Sequence, residues 1–171
     1  MIPLKNNQIR NKKVIVIGTI FLDIKGYPEG KFDPSGRNAG RISYVHGGVG
    51  RNAAVDLAGL GCRPVFISMC EDDAFGKDIM ANLKSCGLNT EYIINIPEST
   101  GLWMAVFDDN GDVYANISRR QDLRPLINVL EEHRDDLFSG TDAILIEMDA
   151  NEELLEKTYV YASDYDIRYM A

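Results

Sequence analysis

Residues 46–61 read "HGGVGRNAAVDLAGLG", and the reading of this stretch decides the fold. Gly47, Gly48 and Gly50 fall within four positions, and Asn52 with two alanines then opens a helical pattern. A short helix is predicted over 52–61, with Gly61 at its C-terminal end. Backbone this bare implies that something approaches it closely. A dinucleotide, a phosphate, a sugar or the next turn of chain would each satisfy that.

One reading is dinucleotide binding. Gly48–Ala53 fits G-x-G-x-x-A, and Asp72 and Asp73 lie about 20 residues on, where a ribose-binding acid belongs. This makes an NAD(P)-dependent dehydrogenase the enzyme alternative. Against it, the preceding "RISYVH" (41–46) alternates polar and apolar, whereas the first strand of a dinucleotide fold is buried on both faces. The dehydrogenase reading therefore requires a buried 41–46 strand leading a parallel sheet. An exposed, lid-like hairpin there refutes it.

Outward from the glycines, "KKVIVIGTIFLDI" (12–24), "RPVFISMC" (63–70) and "TDAILIEMD" (141–149) read as buried strands. Helical stripes over 71–87, 124–140 and 151–166 alternate with them, the last with Asn151 as N-cap. This alternation implies an α/β fold, a doubly wound parallel sheet. Residues 25–40 read as a long loop, and 41–46 and about 92–118 as half-exposed antiparallel strands of a small β-sheet lid. "DDNGD" (108–112) marks a hairpin inside the second segment. The terminal "IRYMA" looks like the start of a further strand.

A net charge of -8 argues against a nucleic-acid partner. No apolar run reaches the roughly 20 residues of a membrane span, and the N-terminus lacks a secretory apolar core, so a cytoplasmic location is expected. Cys62, Cys70 and Cys86 are widely spaced and suit reduced thiols. With only His46 and His133 present, neither a His-based metal site nor a Ser-His-Asp triad is expected, and no metal ligand is assigned.

"GGVGRNAA", Gly61 and "CRPVFISMCEDDAFG" together resemble the N-terminal signature of the ribokinase (PfkB-type) carbohydrate kinases. The strand ending at Asp23, the interrupted lid and "AILIEMD" extend the resemblance over nearly the whole chain from about Lys13. Within the family, "DIKGYPEG", Asn38–Ile42 and the Arg before Asn in "GGVGRNAA" are most similar to pseudouridine kinases, which phosphorylate a nucleoside 5′-hydroxyl with ATP. The resemblance implies a partial ribokinase-like domain over 13–171, with lid segments about 25–46 and 92–120, and a flexible tail over 1–12.

The implied substrate contacts are Asp23, Asn38, Gly47, Gly48, Gly50, Arg51, Asn52, Thr100 and Glu147. The glycines would bring backbone N–H groups to a sugar, Asn52 would grip hydroxyls, and Asp23 would accept from two of them. Asn38 belongs to the segment that meets a nucleobase, Thr100 opens a lid strand facing substrate, and Glu147 sits at a strand tip. Without the family context, Asn52 reads equally well as the N-cap of a tight turn. Trp103 reads as lid packing rather than a stacking platform, and Asp72 and Asp73 as turn formers.

Two positions depart from the family pattern: Phe21 stands where the family has Asn, and Glu71 where it has Gly. The family's catalytic Asp, its Gly-rich anion hole and its ATP-binding elements are expected beyond Ala171. ATP and Mg2+ thus belong to the complete enzyme, and the chain as given is expected to be inactive and to bind neither tightly. The expected partner is a sugar or nucleoside, with a homodimer through the lid strands. A non-catalytic interaction protein built on this half is the third reading.

Overall fold

The computed structural model describes residues 9–170. In chain order the elements are β1 (Lys13–Ile17), β2 (Phe21–Pro28), β3 (Gly40–Gly47), α1 (Val49–Gly59), β4 (Arg63–Cys70), α2 (Ala74–Ser85) and β5 (Ile93–Asn95). There follow β6 (Gly101–Phe107), β7 (Val113–Arg119), α3 (Leu126–Glu132), α4 (Arg134–Phe138), β8 (Ala143–Ile146), α5 (Glu152–Asp164) and β9 (Arg168–Met170).

Five strands form a parallel sheet in the order β5-β4-β1-β8-β9. Side-chain alternation along β1 divides the core in two. Ile15 and Ile17 join a cluster with Leu126, Leu130, Phe138 and Leu154 from α3, α4 and α5. Val14 and Val16 join Ala54, Ile79 and Leu83 from α1 and α2 on the other face. Helices cover both faces, so the strands read as continuous apolar runs. This is the ribokinase-like α/β arrangement expected from the sequence.

The remaining four strands make a second, mixed sheet in the order β3-β2-β6-β7. Here the structure corrects the predicted boundaries. The apolar run 12–24 is not one strand: β1 stops at Ile17, and after a three-residue turn β2 begins the lid at Phe21. Ile20 and Leu22 are buried at the junction, so the apolar pattern carries no sign of the break. Residues 25–28 belong to β2, leaving the loop to 29–39, and β5 joins the main sheet rather than the lid. The predicted helix 124–140 is two helices meeting at His133.

Other expectations hold. Asn151 caps α5, its side chain accepting from the Leu154 N–H. Asp108 Oδ1 accepts from the Asn110 and Asp112 amides, both at 2.9 Å, and so forms the β6–β7 turn. "IRYM" supplies β9. Of the expected flexible tail, residues 1–8 lie outside the described residues. Residues 9–12 are tied to the body: the Asn11 N–H donates to Gly61 O at 2.9 Å, and Lys12 pairs with Asp142 at 2.7 Å. Among the described residues, no helix is long and apolar enough to cross a membrane.

Candidate functional site

The order of the parallel sheet reverses at β1, which lies between β4 and β8. The crevice beyond the carboxyl ends of such strands is where doubly wound sheets bind ligands. Three chain segments meet there: Gly18-Thr19-Ile20 after β1, the glycine turn before α1, and Glu147 after β8.

Glu147 joins all three. Its Oε2 accepts from the Thr19 N–H at 2.9 Å, the Thr19 hydroxyl at 3.2 Å and the Gly50 N–H at 2.8 Å. The side chain is buried, and among the described residues its Oε1 has no partner. Glu147 therefore clamps the start of α1 to the end of β1. The same packing explains two of the glycines. A Cβ on Gly50 would lie 2.6 Å from the Gly18 Cα, and one on Gly48 would lie 2.4 Å from the Thr19 carbonyl oxygen. Gly48 also has φ +99°, in the left-handed region that glycine tolerates. These two positions are bare because the next turn of chain fills the space, not because a sugar must.

An α-helix leaves its first four amides without intrahelical acceptors. In α1, Gly50 donates to Glu147 and Arg51 donates to the Thr19 carbonyl. Among the described residues, the Gly48 and Val49 amides remain without an acceptor. The helix starts at Val49 with Gly48 as N-cap, three residues before the predicted start. Asn52 is therefore no N-cap. It is exposed in the first turn, its Oδ1 accepting from Arg51 at 3.0 Å.

Asp23 is not at a carboxyl edge of the parallel sheet, as its place in the apolar run implied. It is the third residue of lid strand β2. Antiparallel pairing with β3 nevertheless sets its carboxylate against Gly47, whose absent Cβ would lie 3.0 Å from Oδ1. Asp23 is 22% exposed and its charged neighbour is Lys25, at 3.4 Å. Asp23, Gly47 and the first turn of α1 thus converge.

Other predicted residues are engaged elsewhere. Thr100 precedes β6 and is buried, its hydroxyl accepting from the Glu71 N–H at 2.9 Å, so it does not face an open site. Arg51 turns toward α2 and donates to Asn82 at 2.7 Å. Asn38 lies at the far end of the lid, bracing the Asp33 turn at 2.9 and 2.7 Å. It lines a cavity of about 400 Å³ with Tyr27, Phe32 and Arg41. Five residues of β2 separate Asp23 from that end, roughly 17 Å at strand rise. Asp73, considered as a ribose ligand, instead caps α2 through the Gly76 N–H at 2.7 Å.

The departures from the family pattern are absorbed by packing. The Phe21 ring lies over Gly101, where an added Cβ would stand 2.6 Å from ring atoms. The Glu71 carboxylate pairs with Arg119 at 3.1 Å and ties the β4–α2 turn to the base of the lid.

Sequence reading missed the residues that join lid to core. The buried Gln121 accepts from the Ile20 N–H at 2.6 Å and donates to the carbonyls of Met69 and Ser99. A lone Gln in a linker carries no signal. On the outer side, His46 Nε2 lies 2.8 Å from Asp78 and Tyr44 packs on Phe75, docking β3 onto α2. Among the described residues, no group of His, Cys, Asp or Glu side chains is placed to hold a metal ion.

The dinucleotide reading fails on this geometry. The strand before the glycines is β3, an exposed lid strand paired antiparallel with β2. The fold is shared with solved sugar kinases. A carbohydrate kinase from Agrobacterium tumefaciens superposes with TM-score 0.77 at 20% identity, over 92% of this chain and 52% of that one. Arabidopsis thaliana ribokinase, solved with ribose and ATP, gives TM-score 0.74 at 16% identity, over 94% and 52%.

Residues 11–165 match the pfkB family carbohydrate kinase model, and the chain belongs to that family. Guanosine-inosine kinase of Exiguobacterium acetylicum is 34% identical over 85% of this chain and 48% of its own length. Pseudouridine kinase of Escherichia coli is 28% identical over 61% of this chain and 34% of its own. The chain spans about half the length or less of these curated relatives.

Proposed function

We propose that this chain is the acceptor-binding and lid portion of an ATP-dependent sugar or nucleoside kinase that phosphorylates a 5′-hydroxyl. The observation that carries the reading is the Asp23 carboxylate set against Gly47 beside the first turn of α1. A carboxylate accepts from two vicinal hydroxyls at once, which fixes the ring and directs a third hydroxyl outward. Gly47 removes the Cβ that would hold the ring off, and the Gly48 and Val49 amides supply donors. Glu147 holds the turn through Oε2, which is committed to Thr19 and Gly50, and its unpartnered Oε1 is left for a ligand hydroxyl. Closure of the lid excludes water, to which the phosphoryl group would otherwise be lost.

Sequence motifs favour pseudouridine as acceptor, while the guanosine-inosine kinase is the more similar of the two nucleoside kinases named above. We therefore assign a nucleoside acceptor without choosing between these two. On this reading the phosphate donor and catalytic base belong to the remainder of the enzyme. The 171-residue chain alone is expected to bind acceptor without transferring phosphate. Ile42, Met104 and Ile117, exposed by 65%, 51% and 75%, form an aliphatic face on the lid opposite Asp23, suited to the same face of a second copy.

Calorimetry with pseudouridine, guanosine and ribose tests the site. Asp23→Asn should weaken binding about 10- to 150-fold, the value of hydrogen bonds to a charged acceptor. Unchanged affinity in that variant, or no binding by the folded chain, would sink the proposal.

A further inference from the structure

We infer that the lid carries a stacking platform for a planar, carbonyl-bearing nucleobase, formed by Trp103 with Lys25 and Asn116. This rests on the reading of Asp23 as the sugar ligand and extends it to the other half of the substrate. Trp103, expected from sequence to be packing, is half-buried and stands on the Asp23 face of the lid. β2 and β6 run parallel with Asp23 opposite Trp103, so both side chains stand on one face, a strand spacing of about 4.8 Å apart. Lys25, two residues along β2, shares that face. Its ammonium lies 3.4 Å from Asp23 and 5.7 Å from the centre of the indole.

On the other side, the Trp103 indole N–H donates to Oδ1 of the exposed Asn116 at 3.4 Å. The row Lys25–Trp103–Asn116 therefore begins beside the proposed sugar position and runs across the lid. A nucleoside has matching dimensions, since its base is attached directly to the sugar ring. The two faces of the lid differ in kind. The Asp23 face offers carboxylate, ammonium, indole and amide groups, and the opposite face offers Ile42, Met104 and Ile117. The first suits a small polar aromatic ligand and the second a protein surface.

The chemistry narrows the base. An indole stacks on any planar ring. Lys25 only donates, so it favours a base edge that carries a carbonyl oxygen over one that carries an amino donor. Guanine, hypoxanthine and uracil present carbonyl oxygens, whereas adenine presents an amino donor at the corresponding purine position. A bare sugar would leave the platform unused.

Trp103 is the sole tryptophan, so its emission reports this site directly. The chain is titrated with guanosine, adenosine and ribose, by fluorescence for the unaltered protein and by calorimetry for Trp103→Leu, Trp103→Phe and Lys25→Met. Guanosine should quench the emission and bind roughly 5- to 150-fold more tightly than ribose, the range of base stacking on an aromatic side chain. Trp103→Leu should remove that advantage without changing ribose affinity, Trp103→Phe should retain most of it, and Lys25→Met should abolish the preference for guanosine over adenosine. Guanosine binding without change in emission overturns the platform, and needs no variant to fold. Equal guanosine and ribose affinities, insensitive to Trp103→Leu, overturn it while leaving the sugar site standing. Absence of binding by all three ligands overturns both.

Discussion

Removal of the Glu147 carboxylate tests whether the glycine turn is held by this side chain. Oε2 is the acceptor for the Thr19 and Gly50 amides and the Thr19 hydroxyl, at 2.9, 2.8 and 3.2 Å. The hydroxyl can rotate to another acceptor, but the two amides are fixed in the backbone. Glu147→Ala leaves both without a partner, and a buried orphan donor costs about 1–3 kcal/mol. The expected loss is therefore about 2–6 kcal/mol, a large part of the roughly 5–15 kcal/mol that holds a domain folded.

Glu147→Gln keeps an oxygen in the Oε2 position and puts its NH2 where Oε1 now stands unpartnered. Each amide bond then falls from the charged to the neutral range, about 1 kcal/mol apiece, for a loss near 2 kcal/mol. Urea unfolding followed by circular dichroism measures both values, and hydrogen exchange at Thr19 and Gly50 localises them. An alanine variant within about 0.5 kcal/mol of the parent, with these amides still protected, would show that Glu147 is no clamp.

Two further predictions concern the thiols and the lid. Burial, with the nearby charges of Asp73, Asp72 and Glu71, pushes the Cys70 thiol up to about 11, so at pH 8 its thiolate fraction is on the order of 10⁻³. Iodoacetamide followed by mass spectrometry should find Cys62 and Cys86 alkylated well before Cys70; equal rates would contradict the burial. If the aliphatic lid face pairs two copies, Ile117→Lys should convert a dimer to a monomer in sedimentation while leaving the thermal midpoint nearly unchanged. A parent chain that sediments as a monomer would end the dimer proposal.

Much of the scaffold was legible because its signals are local. "RPVFISMC" is buried on both faces and reads as one strand, "DDNGD" can hardly be other than a turn, and Asn151 three residues before Leu154 caps a helix. The combined signature around Gly47–Ala53 was specific enough to place the family. The boundary between main sheet and lid was not legible. Ile17, Ile20 and Leu22 are all buried, but in different sheets or between them, and hydropathy does not distinguish one burial from another.

The sequence by itself determined the α/β class, the family and the presence of a lid, because periodicity and short motifs survive without knowledge of who packs on whom. The placement of the candidate site residues was decided by tertiary structure. Gly48 and Gly50 are bare because Gly18 and Thr19 lie against them, Thr100 is committed to Glu71, and Glu147 is committed to Thr19 and Gly50. Asp23 and Trp103, 80 positions apart in the chain, become neighbours through the parallel register of β2 and β6. Such contacts depend on strand pairing between distant segments, and no single stretch of sequence records them.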